Sequence, residues 1–204
     1  MANYINSVAE LRDTIGDEIP GLSDKNIDYL DDFAVDFIGV CPFVILSSSD
    51  ANGRVDSSPK GDGAGFVKIV DTKTLLIPDR PGNKLAYGHQ NILENPQVGL
   101  LFVIPGTNET LRVNGTAKLR TDSDTLNLMS ARGKAALLAV EVTVQECFFH
   151  CGKAFLRSKL WQPTEWPERY NVSFGEMYAQ RMKAGADVAK VIDDAIDNDY
   201  RDNL

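Results

Sequence analysis

Two spacings of apolar residues divide this chain, a helical one at both ends and a strand-like one between them. Residues 7–16 read as a short helix. Ser23 is placed to cap a second helix, whose stripe is Ile27, Leu30, Ala34, Phe37 and Ile38. From Val40 the pattern changes. Pro42–Leu46 is a run suited to a buried strand, and Asn52-Gly53 after it is a strong hairpin signal because both residues tolerate positive φ. Arg54–Ser58 forms the returning strand. Gly65–Val70 and Thr74–Pro78 are two more strands around the Asp71-Thr72-Lys73 turn. A helix follows the Arg80–Lys84 turn and ends near Asn95-Pro96, where proline disfavours continuation. Val98–Ile104 and Thr110–Leu119 are strands, Asp122–Arg132 holds a short helix, and Leu137–Phe149 is a long strand with Val140, Val142 and Val144 on one face. Helices fill much of residues 173–197.

About seven strands with short connections favour antiparallel neighbours, because parallel pairs need long crossovers. Closing the sheet removes exposed edges. The expectation is a mainly β (α+β) fold: a six- to seven-stranded antiparallel split β-barrel with peripheral helices. It forms a single domain over residues 1–204, with the barrel at about 36–162 and helical extensions at both ends.

Composition narrows the function classes. The 204 residues are 43% hydrophobic, enough for a packed core and too many for global disorder. No apolar run approaches the ~20 residues of a membrane span, and Met1-Ala2-Asn3-Tyr4 lacks the basic start of a secretory signal, so a cytoplasmic protein without membrane association is expected. The formal charge of −8 is uneven. Residues 1–36 hold nine acids and two bases, and residues 186–204 hold six and two, which leaves residues 37–185 at +3. An acidic chain is a poor general binder of nucleic acid, whereas its mildly cationic middle suits a small anion. Three cysteines, Cys41, Cys147 and Cys151, do not make a disulfide framework.

The candidate chemistry sits in two polar segments at the ends of strands, Ser57-Ser58-Pro59-Lys60-Gly61-Asp62 and Asp79-Arg80-Pro81-Gly82-Asn83-Lys84. Arg80 brings a planar fork of donors and Lys84 a point charge, while Gly82 lets the backbone approach a ligand. If Asn83 starts the next helix, its free N–H groups and dipole add to phosphate binding. The same residues also compose an ordinary polar turn. A polar ring fits beside the first segment. The hydroxyls of Ser57 and Ser58 are placed for ring carbonyls, and Lys60 for negative charge on a reduced ring. Pro59 removes a ladder donor, so its strand is at an edge or bulged. Together these features describe a flavin mononucleotide (FMN) site.

The run from Asn52-Gly53 through both segments, Asn91-Ile92-Leu93-Glu94-Asn95-Pro96-Gln97-Val98-Gly99-Leu100-Leu101-Phe102 and Thr110-Leu111-Arg112-Val113-Asn114-Gly115 resembles the FMN-binding split barrel of pyridoxamine 5′-phosphate oxidase and its relatives. The resemblance implies a six-stranded barrel and a homodimer with FMN at the subunit interface. It implies phosphate contacts from Arg80, Asn83 and Lys84, and a flavin ring against Ser57, Ser58, Pro59 and Lys60. Arg157-Ser158-Lys159-Leu160-Trp161 looks like the segment that completes the site across the dimer, with Ser158 and Trp161 as its cofactor contacts. Trp161 covers the flavin or belongs to a core or interface. Arg112 touches the ring or faces solvent. The chain ends in Asp-rich residues 193–202 and lacks a counterpart of the paired Arg-His substrate motif. The expectation is therefore the broader one, an FMN-dependent oxidoreductase acting on a small molecule, with substrate and catalytic residues open. The alternatives are a non-catalytic flavin carrier or sensor, and a split barrel using haem or a deazaflavin, for which only His89 and His150 offer a haem ligand.

Cys147, His150 and Cys151 do not make a metal site in an extended strand. Residues four apart lie ~13 Å apart along it, beyond what ~2.3 Å Zn–S bonds bridge. His89 is expected as a surface histidine. No Walker loop, Gly-x-Gly-x-x-Gly turn or Gly-x-Ser-x-Gly elbow is present.

Overall fold

The computed structural model describes residues 2–202. Two α-helices precede the sheet, α1 at Val8–Ile15 and α2 at Asp32–Val40. The strands are β1 (Phe43–Ser49), β2 (Val55–Gly61), β3 (Lys68–Asp71) and β4 (Thr74–Asp79), then β5 (Gln97–Phe102), β6 (Thr110–Arg120) and β7 (Leu138–His150). Between them lie α3 (Tyr87–Glu94) and α4 (Ser123–Leu128). After them come α5 (Lys153–Ser158), α6 (Phe174–Met182) and α7 (Ala186–Asp202), the last two packed on each other.

The expected strands form, with ends shifted by up to three residues, and all pair antiparallel in the order β2-β1-β5-β6-β7-β4-β3. The β2 edge carries Pro59, opposite Ile45, where its missing N–H breaks no second ladder. The sheet curls until β2 meets the end of β4, and ion pairs join them there: Lys60 Nζ to Asp79 Oδ1 at 2.9 Å, and Arg80 Nε to Asp62 Oδ2 at 2.9 Å. This is the split barrel.

Alternation along the strands builds its core. Val44 and Leu46 of β1, Leu100 and Phe102 of β5, Leu111 and Val113 of β6, and Val140, Val142 and Val144 of β7 are all buried in one cluster. Burying each such side chain contributes about 1.5–3 kcal/mol. At Gly115 the β6–β7 register shifts, and a Cβ there would lie 2.0 Å from the Thr143 carbonyl oxygen, so only glycine fits this crossing.

The second helix begins later than its stripe suggests. Residues Leu22–Lys25 form a 3₁₀ turn instead, and the N-cap is Asp31, whose carboxylate accepts from the Ala34 N–H at 2.9 Å. Ile27 leaves the helix and pairs with Cys147 as an isolated bridge. Among the described residues no helix is long and apolar enough to cross a membrane.

Candidate functional site: a cleft where the barrel splits

A cleft of about 480 Å³ opens where β2 meets the end of β4, roofed by the 80–86 loop and the first turn of α3. Of the ten residues expected at the cofactor, six line it: Ser58, Pro59, Lys60, Arg80, Asn83 and Lys84. The cleft also takes in Asp56, Asp79, Tyr87 and His89, none of them among the expected cofactor contacts.

Strand alternation explains the β2 side. Asp56, Ser58 and Lys60 share one face of β2 and are half-buried. Ser57 points the other way, with its Oγ 3.3 Å from Ser47 Oγ on β1. Of the two expected hydroxyls, only Ser58 faces the cleft.

Arg80 is held before any ligand binds. Its Nε donates to Asp62 and its Nη2 to the Met129 carbonyl at 2.8 Å. Its remaining nitrogen, Nη1, is buried without a hydrogen-bond partner. Leaving a buried donor unmet costs about 1–3 kcal/mol, a penalty that an acceptor placed there would relieve.

The turn after Arg80 is not the start of a helix. Asn83 Oδ1 accepts from the Leu85 N–H at 3.0 Å, and Lys84 and Ala86 both take left-handed backbone, φ 60° and 53°. Such conformations cost a non-glycine residue roughly 1–2 kcal/mol each. α3 therefore begins at Tyr87, with Ala86 as an N-cap that makes no side-chain bond. This corrects the expectation that Asn83 starts the helix, and no helix dipole acts at that residue.

α3 is anchored on β1 by two amides. Asn91 Nδ2 donates to Ser48 Oγ at 3.1 Å, and Asn95 Nδ2 to Ser49 Oγ at 2.9 Å. Its first turn lies so close to β2 that a Cβ on Gly88 would stand 3.1 Å from Asp56 Oδ2. That docking carries His89 inward. Its side chain is only 13% exposed, so it is not the surface histidine expected. Its Nε2 lies 3.5 Å from Asp79 Oδ1 and is buried without a hydrogen-bond partner. Burial lowers the imidazole's pKa below its usual 6.5, as does nearby Lys60, while Asp79 and Asp56 pull the other way. The one sequence signal for this placement is that His89 precedes buried Ile92 by three residues, on the same helix face.

Three other expected residues lie outside the cleft within this chain. Arg112 on β6 is exposed and stacks over Phe148, 5.8 Å from its centroid. Ser158 Oγ donates to the Phe155 carbonyl. Trp161 Nε1 donates to the Thr107 carbonyl at 2.8 Å, and its ring meets Phe155 edge-on at 5.5 Å. β7 stays extended to His150. Cys147 is buried within it, which pushes its thiol up to about 11 with help from Asp31, and Cys151 is exposed.

The family model described as pyridoxamine 5′-phosphate oxidase matches residues 30–151, more than half of the chain, from just before α2 to just past β7. The chain belongs to the pyridoxamine 5′-phosphate oxidase family. No curated protein matches its sequence. Among solved structures, a HupZ variant from Group A Streptococcus is 18% identical, with 59% of this chain and 99% of that chain covered and a TM-score of 0.49. General stress protein 26 from Bacillus anthracis is 14% identical, covering 56% and 88% at a TM-score of 0.45. HutZ, the haem storage protein from Vibrio cholerae, is 13% identical, covering 60% and 94% at 0.42. The matched span of the pyridoxamine 5′-phosphate oxidase family contains every residue that lines the cleft.

Proposed function

We propose that this protein is an FMN-dependent oxidoreductase acting on a small-molecule substrate, with FMN held in the cleft between β2, the end of β4 and α3. The observation that carries the reading is Arg80. Two of its nitrogens are tied to Asp62 and Met129, the third is buried and unpartnered, and the residue lines the cleft. A guanidinium fixed in this way loses little freedom on meeting a phosphate.

The lining fits the cofactor. Arg80, Asn83 and Lys84 would hold the phosphate, and the Pro81-Gly82 backbone allows close approach. Ser58, Pro59 and Lys60 would border the ring. When bound, FMN supplies a ring that accepts a hydride. Lys60 is already matched by Asp79, so it acts on the ring as half of a pair and not as an isolated charge.

The protein works as a homodimer in this reading. Exposed Leu85, Tyr87 and Leu137 line the cleft mouth, and exposed Val55 neighbours it on β2. A second subunit would cover such apolar surface. Arg112, Ser158 and Trp161 would then serve the partner's cofactor. Titration of FMN into the purified protein, followed by flavin fluorescence, tests the proposal. Saturable binding at one FMN per chain, and bleaching by a reductant with reoxidation in air, is expected. A Soret band in the purified protein, or no flavin binding, overturns it.

A further inference from the structure

The charges lining the cleft cancel once Asp62, which pairs with Arg80 from beyond the lining, is counted with them. Lys60 is matched by Asp79 and Arg80 by Asp62, while Lys84 in the turn is balanced in number by Asp56 on β2. A phosphomonoester brings about −1.5 to −2 charges at pH 7. One further group at the cleft changes its charge near neutrality, His89. It faces Asp79 from β4 and Lys60 and Asp56 from β2, while Lys84 and Tyr87 border the same cleft beside it in sequence. With Nε2 buried, unpartnered and 3.5 Å from Asp79 Oδ1, the ring has a carboxylate beside it to stabilise an added proton.

We propose that His89 takes up a proton when a phosphomonoester enters the cleft, so that the imidazolium supplies the positive charge the resident ion pairs do not. The inference rests on reading the cleft as a phosphate-ligand site and adds how that site is regulated: protons and ligand bind cooperatively. Burial favours the neutral ring in the ligand-free chain, and an entering anion favours the charged one. Contributed by one linked proton, the affinity gained on acidification reaches at most about tenfold per pH unit, between the free and bound pKa values of the ring.

The chain has two histidines, so ring NMR signals separate readily, and His89→Gln assigns them. The His89 pKa is measured in chloride, in inorganic phosphate at matched ionic strength, and with saturating FMN. The expected result is a rise with phosphate and with FMN, with His150 as the reference. A matching ratio of wild-type to His89→Gln affinity for FMN, growing as pH falls, is also expected, and taking the ratio cancels the ligand's own phosphate titration. A rise with phosphate in a protein that binds no FMN supports the linkage and sinks the flavin reading. Full FMN occupancy with an unmoved His89 pKa and a flat affinity ratio overturns the linkage alone. A pKa unmoved by phosphate in a protein that binds no FMN overturns both.

Discussion

Lys60 Nζ donates to Asp79 Oδ1 at 2.9 Å, joining the edge strand β2 to β4, the penultimate strand at the opposite side of the sheet order. Both side chains are 18% exposed, so the pair is largely shielded from solvent screening. A cycle of Lys60→Met, Asp79→Asn and the double variant, measured by urea denaturation, is expected to show a coupling of about 1–3 kcal/mol. Additive single effects would mean that the pair does not fasten the barrel.

His89 gives the fold a pH dependence of known sign. Its folded-state pKa lies below the usual 6.5, so the unfolded chain binds the proton more readily. The resulting stability is present above about pH 6.5 and is lost as pH falls through the folded-state value. Between pH 7.5 and 5.5 the urea midpoint of ligand-free wild type should fall more steeply than that of His89→Gln. Parallel slopes would show that the buried imidazole contributes nothing.

Phe102 is fully buried in the main core, contributed by β5. Phe102→Ala removes a ring from a close-packed site, with an expected loss of about 3–5 kcal/mol in denaturant unfolding. A loss below 1 kcal/mol would mean that the barrel interior is not packed as described.

Gly115→Ala places a methyl carbon against the Thr143 carbonyl at the β6–β7 register shift, where only 2.0 Å is available. The backbones must move apart, at a cost of about 1–3 kcal/mol or more, seen as a lower thermal midpoint. An unchanged midpoint would show that the crossing is looser than this.

Lys84 is exposed in the turn, and among the described residues no hydrogen bond or ion pair holds its side chain. Lys84→Ala should leave stability unchanged and weaken FMN binding roughly ten- to a hundredfold, the value of one charge-assisted bond. Arg80→Ala is a poorer probe, because it also frees Asp62 and the Met129 carbonyl.

The strands were legible because their signals are local. Apolar runs, the Asn52-Gly53 hairpin and the single ladder that Pro59 tolerates each act over a few residues. Errors arose where a distant partner decides. Ser23 looks like a cap, yet Ile27 is drawn off to pair with Cys147 and Asp31 caps the helix instead. Asn83 precedes a helix, yet left-handed Lys84 and Ala86 delay it to Tyr87. His89 looks exposed until Asn91 and Asn95 dock α3 on Ser48 and Ser49. The Arg80 turn and the end of β2 stand out by residue type, whereas the expected pair of hydroxyls passes over strand alternation, which sends Ser57 to the face opposite Ser58 and Lys60.

A crystal structure grown with FMN tests the central claim most directly. The account predicts a phosphate within hydrogen-bond distance of Arg80 Nη1 and the 81–84 turn, with the ring beside Ser58–Lys60. Flavin bound elsewhere, with the Arg80 nitrogen still unpartnered, would contradict it.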